Sequence, residues 1–336
     1  MLEVHNKKSV VVIGGGTGIY PILQGLKKYH QSISITAIIS MADSGGSTGR
    51  LRDEFGQLPV GDVRMALTAL ASEVDEHSEL LRELFLHRFD KGEGLNGHNF
   101  GNLLIVALTE ILGSEAEAVK VAARILRVRG RVLPVTADKV HIVAEYADGS
   151  IIKGEHSIDE PEKNNVERNI SNFYTEPKGH ISEDAKQAIL HADLILLGPG
   201  DLYSSLLANC VIEGVSDAIL QSKAQFVYAS NLMTRPGQTH GLSAGAHVKE
   251  VRKYVGKLPD TVIINTGTVP EHLLKRYADM HQYLVADDCD DIETRIIRQD
   301  LLDSHEVIKK KGDVLQRSLV RGDGDKYAKI ILSLLE

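Results

Sequence analysis

The sequence predicts an α/β fold built on a doubly wound, mostly parallel β-sheet, with an antiparallel hairpin insertion at 133–176. Short β-branched runs alternate with segments of helical apolar spacing along the chain. Glycine-rich turns follow two of the apolar runs, at Gly14–Gly18 and Gly198–Gly200. No repeat or linker composition divides the sequence, so these observations favour a single domain over 1–336.

The first elements form a predicted βαβ unit. Strand Ser9–Ile13 runs into a glycine turn, helix Ile19–Tyr29 follows, and strand Ile33–Ile39 completes the unit. The second strand is apolar at nearly every position, as in a parallel strand that is covered on both faces. Apolar residues at helical spacing then predict four helices, at Asp62–Ala71, Ser78–Phe89, Asn99–Leu112 and Ala116–Leu126.

The middle of the chain predicts the hairpin. Val140–Tyr146 alternates in polarity, which predicts the first strand of the hairpin. Asp148-Gly149 is the predicted turn, and Ser150–Ile152 is the predicted second strand. The polar stretch Ile158–Glu176 predicts a loop with an edge strand. Further on, Ile292–Arg298 fits either a strand or a helix. The remaining predicted elements are strands Asp193–Leu197, Phe226–Ser230 and Val262–Asn265 and the last helix, Asp325–Leu335.

Composition limits the class of protein. The 336 residues carry 38 Lys+Arg and 46 Asp+Glu, a net charge of −8, which disfavours binding to nucleic acid. Two cysteines without a C-x-x-C pair exclude a disulfide scaffold and a cysteine zinc site. No secretory segment precedes the first strand, and no apolar run is long enough for a membrane helix. The expected location is the cytoplasm.

The first glycine turn predicts contact with a phosphate or nucleotide. Glycines allow close approach of the backbone, and a helix N-terminus offers free N–H groups. The dinucleotide fingerprint fails in both registers, because Ile19 and Pro21 occupy the third glycine position. A P-loop also fails, because no lysine follows before Lys27. A tight turn without a ligand is the alternative. The candidate residues are Gly14, Gly15, Gly16, Thr17 and Gly18.

The segment after the second strand, 40–52, is predicted to be a ligand-binding loop at the carboxyl edge of the sheet. Asp43 is the candidate Mg²⁺ ligand, because Mg²⁺ prefers carboxylate oxygens. A nucleophile elbow of serine hydrolases matches 45–49, but polar residues separate it from the strand, which argues against that class. The candidate phosphate contacts are Ser44, Gly45, Gly46, Ser47, Thr48, Arg50 and Arg52.

Four further polar segments complete the candidate site. Asp62 and Arg64 open a helix, where Asp62 is a ligand contact or an N-cap. The segment 96–102 is predicted to contact a nucleobase or a sugar. The alternative is that it only caps the helix that follows. The loops 198–205 and 231–239 follow buried strands and should face the first two loops. The candidates in these three segments are His98, Asn99, Asn102, Gly198, Pro199, Gly200, Tyr203, Ser204, Asn231 and Thr234.

Together these segments resemble the CofD/YvcK family, which contains deazaflavin phospholactyl transferases and bacterial YvcK-type proteins. The loops Gly198–Ser205 and Asn231–Thr239 match the YvcK-type pattern. The resemblance implies a Rossmann-like core and, for that branch, binding of UDP-sugars such as UDP-N-acetylglucosamine. It also implies a role in growth and cell shape on gluconeogenic carbon sources and in cell-wall synthesis.

Three residues bear on the choice between the branches. Asp43 matches the aspartate that the transferase branch uses near Mg²⁺ and its acceptor. Ser44 departs from the Asp or Asn that commonly follows in YvcK-type proteins, which makes catalysis less expected. Arg321 stands where the family has an Arg-His-Asp-type segment, although the histidine is absent here. Its expected role is a diphosphate or uracil contact, with a plain surface arginine as the alternative.

The expectation is therefore a non-catalytic nucleotide-sugar-binding regulator. A CofD-like Mg²⁺-dependent transferase that uses a nucleoside diphosphate donor is the alternative. An NAD-dependent oxidoreductase is disfavoured, since no acidic residue closes the second strand, although NAD can enter such a pocket opportunistically. The expected partners are a nucleotide sugar or nucleoside diphosphate, cell-wall synthesis proteins and a second copy of the chain, without nucleic acid or membrane insertion.

Overall fold

A seven-stranded, all-parallel sheet forms the centre of the molecule. The computed structural model describes residues 7–56, 58–161, 165–304 and 319–336, with only the backbone described at 46, 52 and 53. The strands are β1 (Lys8–Gly14), β2 (Ile33–Ile39), β3 (Arg131–Pro134), β7 (Leu194–Leu197), β8 (Gln225–Ala229), β9 (Thr261–Asn265) and β10 (Arg295–Gln299). Their order across the sheet is β10-β9-β8-β7-β1-β2-β3, and each neighbouring pair is parallel.

Helices cover this sheet. They are α1 (Gly16–Lys27), α2 (Gly46–Phe55), α3 (Gly61–Leu70), α4 (Glu76–Leu86), α5 (Phe100–Leu112), α6 (Glu115–Ile125), α8 (Glu183–Leu190), α9 (Ala208–Cys210), α10 (Val215–Gln221), α11 (Ala244–Val255), α12 (Glu271–Asp279) and α13 (Gly324–Ser333). α1 packs between α3 and α13, and α10 packs between α8 and α11. The apolar residues Val10–Ile13 of β1 are fully buried. The predicted doubly wound α/β fold, Rossmann-like in architecture, is therefore confirmed.

A second, three-stranded antiparallel sheet projects from the chain between β3 and β7. Its strands are β4 (His141–Tyr146), β5 (Ile151–Lys153) and β6 (Ile170–Glu176), in the order β5-β4-β6. The short helix α7 (Glu155–Asp159) follows β5 directly. Phe173 of this insertion packs edge to face on Tyr203, with ring centroids 5.4 Å apart. The predicted hairpin and the edge strand after it are both present.

Three segments differ from the prediction or complete it. The segment 40–52 is not all loop, because α2 begins at Gly46. Its sequence holds two glycines and four charged residues, which hide the helical period, and only Leu51 supplies a buried apolar side chain. Leu133 and Pro134 belong to β3, so the antiparallel layer starts at His141. The ambiguous segment Ile292–Arg298 contains the strand β10.

No helix in the described ranges is long and apolar enough to cross a bilayer.

Candidate functional site

The candidate site lies where the strand order of the sheet reverses. β1 is hydrogen-bonded to β2 on one side and to β7 on the other, so the chain turns in opposite directions from this point. Open α/β sheets bind ligands at the carboxyl ends of the strands at such a reversal. The turn Gly14–Gly18 follows β1 here, and the turn Gly198–Gly200 follows β7 beside it.

Two glycines of the first turn are required by packing. A Cβ on Gly16 would lie 2.6 Å from the backbone of Asp62, and one on Gly18 would overlap the backbone at Pro199 and Gly200. Gly15 instead faces side chains, namely the carboxylate of Asp62 and the hydroxyl of Ser205, each 3.0 Å from the position of a Cβ. The turn therefore brings α1, α3 and the loop after β7 together, and Gly15 lines the space between them.

Asp62 lies at the centre of this arrangement and is partly buried. Its carboxylate accepts a hydrogen bond from the backbone N–H of Gly16, so it occupies an N-terminal donor of α1. Burial, and after it the negative charge of Asp43, raises the pKa of Asp62 to about 7. Asp62 is not the N-cap of its own helix, because Val60 holds that position in α3. The N-cap alternative is therefore wrong for α3, and Asp62 satisfies the neighbouring helix instead.

Asp43 lies beside Asp62 at the end of β2. Its Oδ1 accepts a hydrogen bond of 2.9 Å from Gly45 N. Its Oδ2 is so close to Gly61 that a Cβ there would lie 2.6 Å away. No group of three or more His, Cys, Asp or Glu side chains in the described part of the chain is arranged to hold a metal. The Asp43–Asp62 pair fits Mg²⁺ that takes its other oxygens from water or phosphate.

The insertion supplies two acidic side chains that the sequence did not single out. Glu155 begins α7 and accepts a hydrogen bond of 3.2 Å from Ser44 N, while His156 N donates to Ser44 Oγ at 3.0 Å. Burial raises the pKa of Glu155 to about 10, with Asp159 and then Asp43 adding to the effect. Burial also raises the pKa of Asp159, which the Asp201 carboxylate reinforces. No local pattern could have revealed these residues, because they reach the site from another layer.

Arg235 pairs with two members of this acidic group. Its guanidinium lies 3.6 Å from a carboxylate oxygen of Asp201 and 3.7 Å from one of Asp159. Gln238, which is fully buried, donates from Nε2 to Asp159 Oδ1 at 2.7 Å. We call Asp43, Asp62, Glu155, Asp159 and Asp201 the acidic cluster. Arg235 and Arg64 offset part of the charge of these five carboxyl groups, since Arg64 lowers the pKa of Asp62 against the larger effects that raise it.

Several candidate residues satisfy one another in a separate network under α3. His98 Nδ1 lies 3.2 Å from Ser47 Oγ, and Asn99 caps α5 by accepting from Asn102 N. Arg64 Nε donates to Asn102 Oδ1 at 2.8 Å. These side chains are buried and bonded within the protein. The capping role of Asn99 is confirmed, while ligand contact by this segment stays a prediction.

We call the space between the Gly14–Gly18 turn, the loop after β7 and the acidic cluster the crevice. Some of the other candidate residues lie beside it, and some lie behind it. Ser204 and Ser205 lie in a π-helical turn, Leu202–Leu207, a local geometry that is frequent at functional sites. Asn231 links the loops by donating from Nδ2 to Gly200 O at 2.5 Å. Tyr203 is buried and donates from its hydroxyl to Glu250 at 2.9 Å, which places it behind the crevice.

The two outermost candidates lie in other settings. Thr234 accepts from Tyr283 N at 3.0 Å, beyond β8. Arg321 lies at the approach to α13, where its carbonyl accepts from Asp303 N. The side chain of Arg52 falls outside the described residues.

Comparisons with known proteins show the family of the chain. The family model described as 2-phospho-L-lactate transferase CofD matches residues 10–302. The chain is 35% identical to the gluconeogenesis factor of Bacillus subtilis, over 98% of this chain and 99% of that protein. It is 38% identical to that of Listeria innocua, over 99% and 98%. A crystal structure of a UPF0052 family member from Bacillus halodurans superimposes with a TM-score of 0.86 at 35% identity, covering 97% of this chain and 99% of that one. This chain therefore belongs to the CofD family, among its gluconeogenesis factors.

Proposed function

We propose that the protein binds a nucleoside diphosphate sugar of the UDP-N-acetylglucosamine type at the β1/β7 reversal. In this role it acts as a binding factor for growth, cell shape and envelope synthesis on gluconeogenic carbon sources. The observation that carries the proposal is the partly buried Asp43–Asp62 pair, of which Asp62 accepts from Gly16 N at the N-terminus of α1. Such a helix end attracts anions, and here its Gly16 N–H is held by a carboxylate.

The same pair explains why Mg²⁺ belongs to the proposal. A diphosphate that approached Gly15–Thr17 alone would meet the acidic cluster and be repelled. A Mg²⁺ ion between Asp43, Asp62 and the diphosphate removes this repulsion, because it stabilises the charged form of both carboxyl groups. The Ser205 hydroxyl lies across from Gly15, so it can donate to a phosphate oxygen in that space. Thr17 is exposed and offers a second hydroxyl in the same turn.

The second candidate is a CofD-like, Mg²⁺-dependent phospholactyl or phosphoryl transfer from a nucleoside diphosphate donor. The match to the transferase family model and the position of Asp43 in the crevice favour it. Ser44 counts against it, since its side chain is used to hold α7 through His156 N. The two candidates share the binding site and differ in whether the ligand is consumed.

Thermal unfolding with UDP-N-acetylglucosamine, GDP and NAD, each with and without Mg²⁺, separates them. A ligand at about 100 times its Kd adds about 2.7 kcal/mol to the free energy of unfolding. The first candidate predicts a selective shift by the UDP-sugar, with the ligand recovered intact. A Mg²⁺-dependent GDP shift together with transfer to a deazaflavin acceptor would support the second. No shift with any of the three ligands would contradict both.

An aspartate variant connects this measurement to the site. Asp43→Asn should lower the Mg²⁺-dependent part of the shift, because it removes one charged oxygen ligand. Asp217→Asn, at an exposed position in the first turn of α10, is the matched control and should leave the shift unchanged. An equal shift in Asp43→Asn and wild type would remove Asp43 from the proposed site.

The wider biological setting is also part of the proposal. We place the protein in the cytoplasm, acting with cell-wall synthesis proteins and with a second copy of itself. Cys210 and Cys289 are both buried and unpaired, which fits a reducing compartment. NAD is included above as an opportunistic ligand of the same crevice.

A further inference from the structure

The outer side of α5 is apolar, although it lies at the surface of the molecule. Five apolar side chains recur there at helical spacing, and we call them the α5 face: Phe100, Leu103, Leu104, Ala107 and Ile111. Ile111 keeps 78% of its surface exposed, Ala107 is exposed, and the other three are partly exposed. The one charged residue of the helix, Glu110, lies at the edge of this face.

The uncharged polar side chains of α5 point the other way, into the protein. Asn102 and Thr109 are buried. Asn102 Oδ1 accepts from Arg64 Nε at 2.8 Å, and Thr109 Oγ1 donates to Ile105 O at 2.9 Å. A surface helix of a monomer usually turns its polar side to water and its apolar side to the core. Because α5 carries apolar side chains on both sides, its outer face is suited to cover by a second protein surface.

The neighbouring helix α4 adds to this apolar surface. α4 packs against α5, and its Leu80 and Leu84, one turn apart, keep 56% and 39% of their surfaces exposed. A stable dimer buries about 800 Å² on each partner, and in homodimers about 65% of that area is apolar. The exposed fractions on α4 and α5 correspond to apolar surface on the order of 500 Å². The two helices therefore supply the apolar area that a homodimer needs.

The α5 face is complementary to itself when two copies pair in opposite directions. Ala107 is its smallest residue and lies near the middle, with Leu103 and Leu104 one turn before it and Ile111 one turn after it. If the α5 helices of two copies cross at Ala107, the small side chains let the helices approach closely. Each Ile111 then packs against the leucine pair of the other copy, as an isologous two-fold contact requires.

The charge at the edge of the face favours the same pairing. Glu110 lies in the last turn of α5, which contains no basic residue, so it lies at the unfavourable end of its own helix dipole. Antiparallel pairing places it beside the amino-terminal half of the other α5, where the dipole is positive. A lipid surface fits less well, since helices that bind membranes carry Lys and Arg on their polar side and α5 carries neither.

We propose that two copies of this chain form a two-fold dimer through the α5 face, with Ala107 at the axis and the leucines of α4 at the rim. The dimer forms without nucleotide, so it is independent of the proposed nucleotide-sugar binding. The interface is nevertheless connected to the candidate site. Asn102, on the inner side of α5, holds Arg64 of α3, and α3 is the helix that carries Asp62.

Sedimentation velocity of the full chain without nucleotide tests the dimer. Wild type should sediment at twice the mass of one chain at concentrations above a Kd on the order of micromolar. Ala107→Glu should weaken association about 100-fold or more, because it brings two like charges together at the axis. Ala116→Glu, at an exposed position of α6, is the matched control and should remain dimeric. A circular dichroism spectrum equal to that of wild type shows that Ala107→Glu folds.

Two results of this measurement would overturn the proposal. A wild type that stays monomeric throughout the concentration series would leave the α5 face to a partner of another kind. A dimer that Ala107→Glu does not weaken would place the contact between copies elsewhere on the chain. The thermal shift by UDP-N-acetylglucosamine is measured separately, and its absence from wild type would contradict the proposed function without touching the dimer.

A cross-link tests the position of the axis. Cys210 and Cys289 are both buried, so Ala107→Cys introduces an exposed thiol. Helices packed about 8–10 Å apart bring facing Cα atoms close enough for a disulfide. Mild oxidation should therefore link Ala107→Cys into a covalent dimer on a non-reducing gel, whereas the control Ala116→Cys should stay unlinked. Equal cross-linking of the two variants, or none in Ala107→Cys, would contradict an axis at Ala107.

Discussion

Asp62 shows how a single, partly buried carboxyl group links stability to the site. An aspartate in the unfolded chain has a pKa near 3.8, whereas burial beside Asp43 raises that of Asp62 to about 7. Below about pH 4 the group is protonated in both states and carries no penalty. As the pH rises from 4 to 7, the unfolded state releases its proton first, so the free energy of unfolding falls across this window.

Asp62→Asn should therefore stabilise the protein without ligand at pH 8, by up to about 4 kcal/mol, and have little effect near pH 4. The asparagine keeps an oxygen that accepts from Gly16 N, so the helix end remains satisfied. Thermal unfolding of the variant, wild type and the exposed-site control Asp217→Asn at both pH values measures this. A variant that is no more stable than wild type at pH 8 would contradict the stated origin of the pKa.

Gly18 is a glycine that close packing requires, whether or not a ligand binds to the turn. A Cβ at this position would overlap the backbone of Pro199 and Gly200, so Gly18→Ala should lower the free energy of unfolding by about 1–3 kcal/mol. Gly94→Ala is the control, because nothing lies within 4 Å of its Cβ position. Denaturant titration of both variants provides the comparison. Equal free energies of unfolding for Gly18→Ala and Gly94→Ala would show that the loop after β7 leaves room for a Cβ at position 18.

Site residues could be predicted only where they follow a recognisable strand in the sequence. Residues that reach the site from a distant segment could not. Gly14–Gly18 and Asp43 were found because each follows a recognisable strand, and their ligand contacts remain predictions. Glu155 and Asp159 were missed because they reach the cluster only through the tertiary docking of the insertion. The sequence around them, Gly154–Glu160, carries no periodic or motif signal that points to this crevice.

At the scale of elements, one of the contacts between the insertion and the main layer can be tested by itself. Ser44 Oγ accepts from His156 N at 3.0 Å, which satisfies a donor at the start of α7. Ser44→Ala should cost about 1 kcal/mol and raise amide hydrogen exchange within Glu155–Asp159. Ser171→Ala, which removes an exposed hydrogen bond from β6, should leave exchange in α7 unchanged. Wild-type exchange of α7 in Ser44→Ala would show that other contacts hold the insertion.

Helices and strands whose apolar residues recur at a regular spacing were predicted correctly. Elements without such a spacing were not. β1, β2 and α5 have apolar runs or apolar faces that identify them, and β4 and β5 are joined by an Asp-Gly turn. α2 was read as loop because glycines and charges interrupt its face. The π-helical turn Leu202–Leu207 carries two serines between apolar pairs, and nothing in that pattern distinguishes a π turn from an α turn.

At the scale of the whole molecule, the candidate site lies where the antiparallel layer meets the carboxyl edge of the parallel sheet. The reversal at β1/β7 was predictable from the alternation of strands and helices, since it follows from the connection rules of parallel sheets. The contribution of the antiparallel layer was not, because its docking depends on many weak contacts between distant segments. Together the two layers surround the acidic cluster with loops from β1, β2, β7 and β8.

The central claim is that a nucleotide sugar binds with its diphosphate at the N-terminus of α1. A crystal structure of the protein with UDP-N-acetylglucosamine and Mg²⁺ tests this most directly. We predict diphosphate density within hydrogen-bonding distance of Gly15–Thr17 and Ser205, with Mg²⁺ on Asp43 and Asp62. Density for the nucleotide elsewhere on the molecule, or a crevice without nucleotide at a concentration that saturates the thermal shift, would contradict the account.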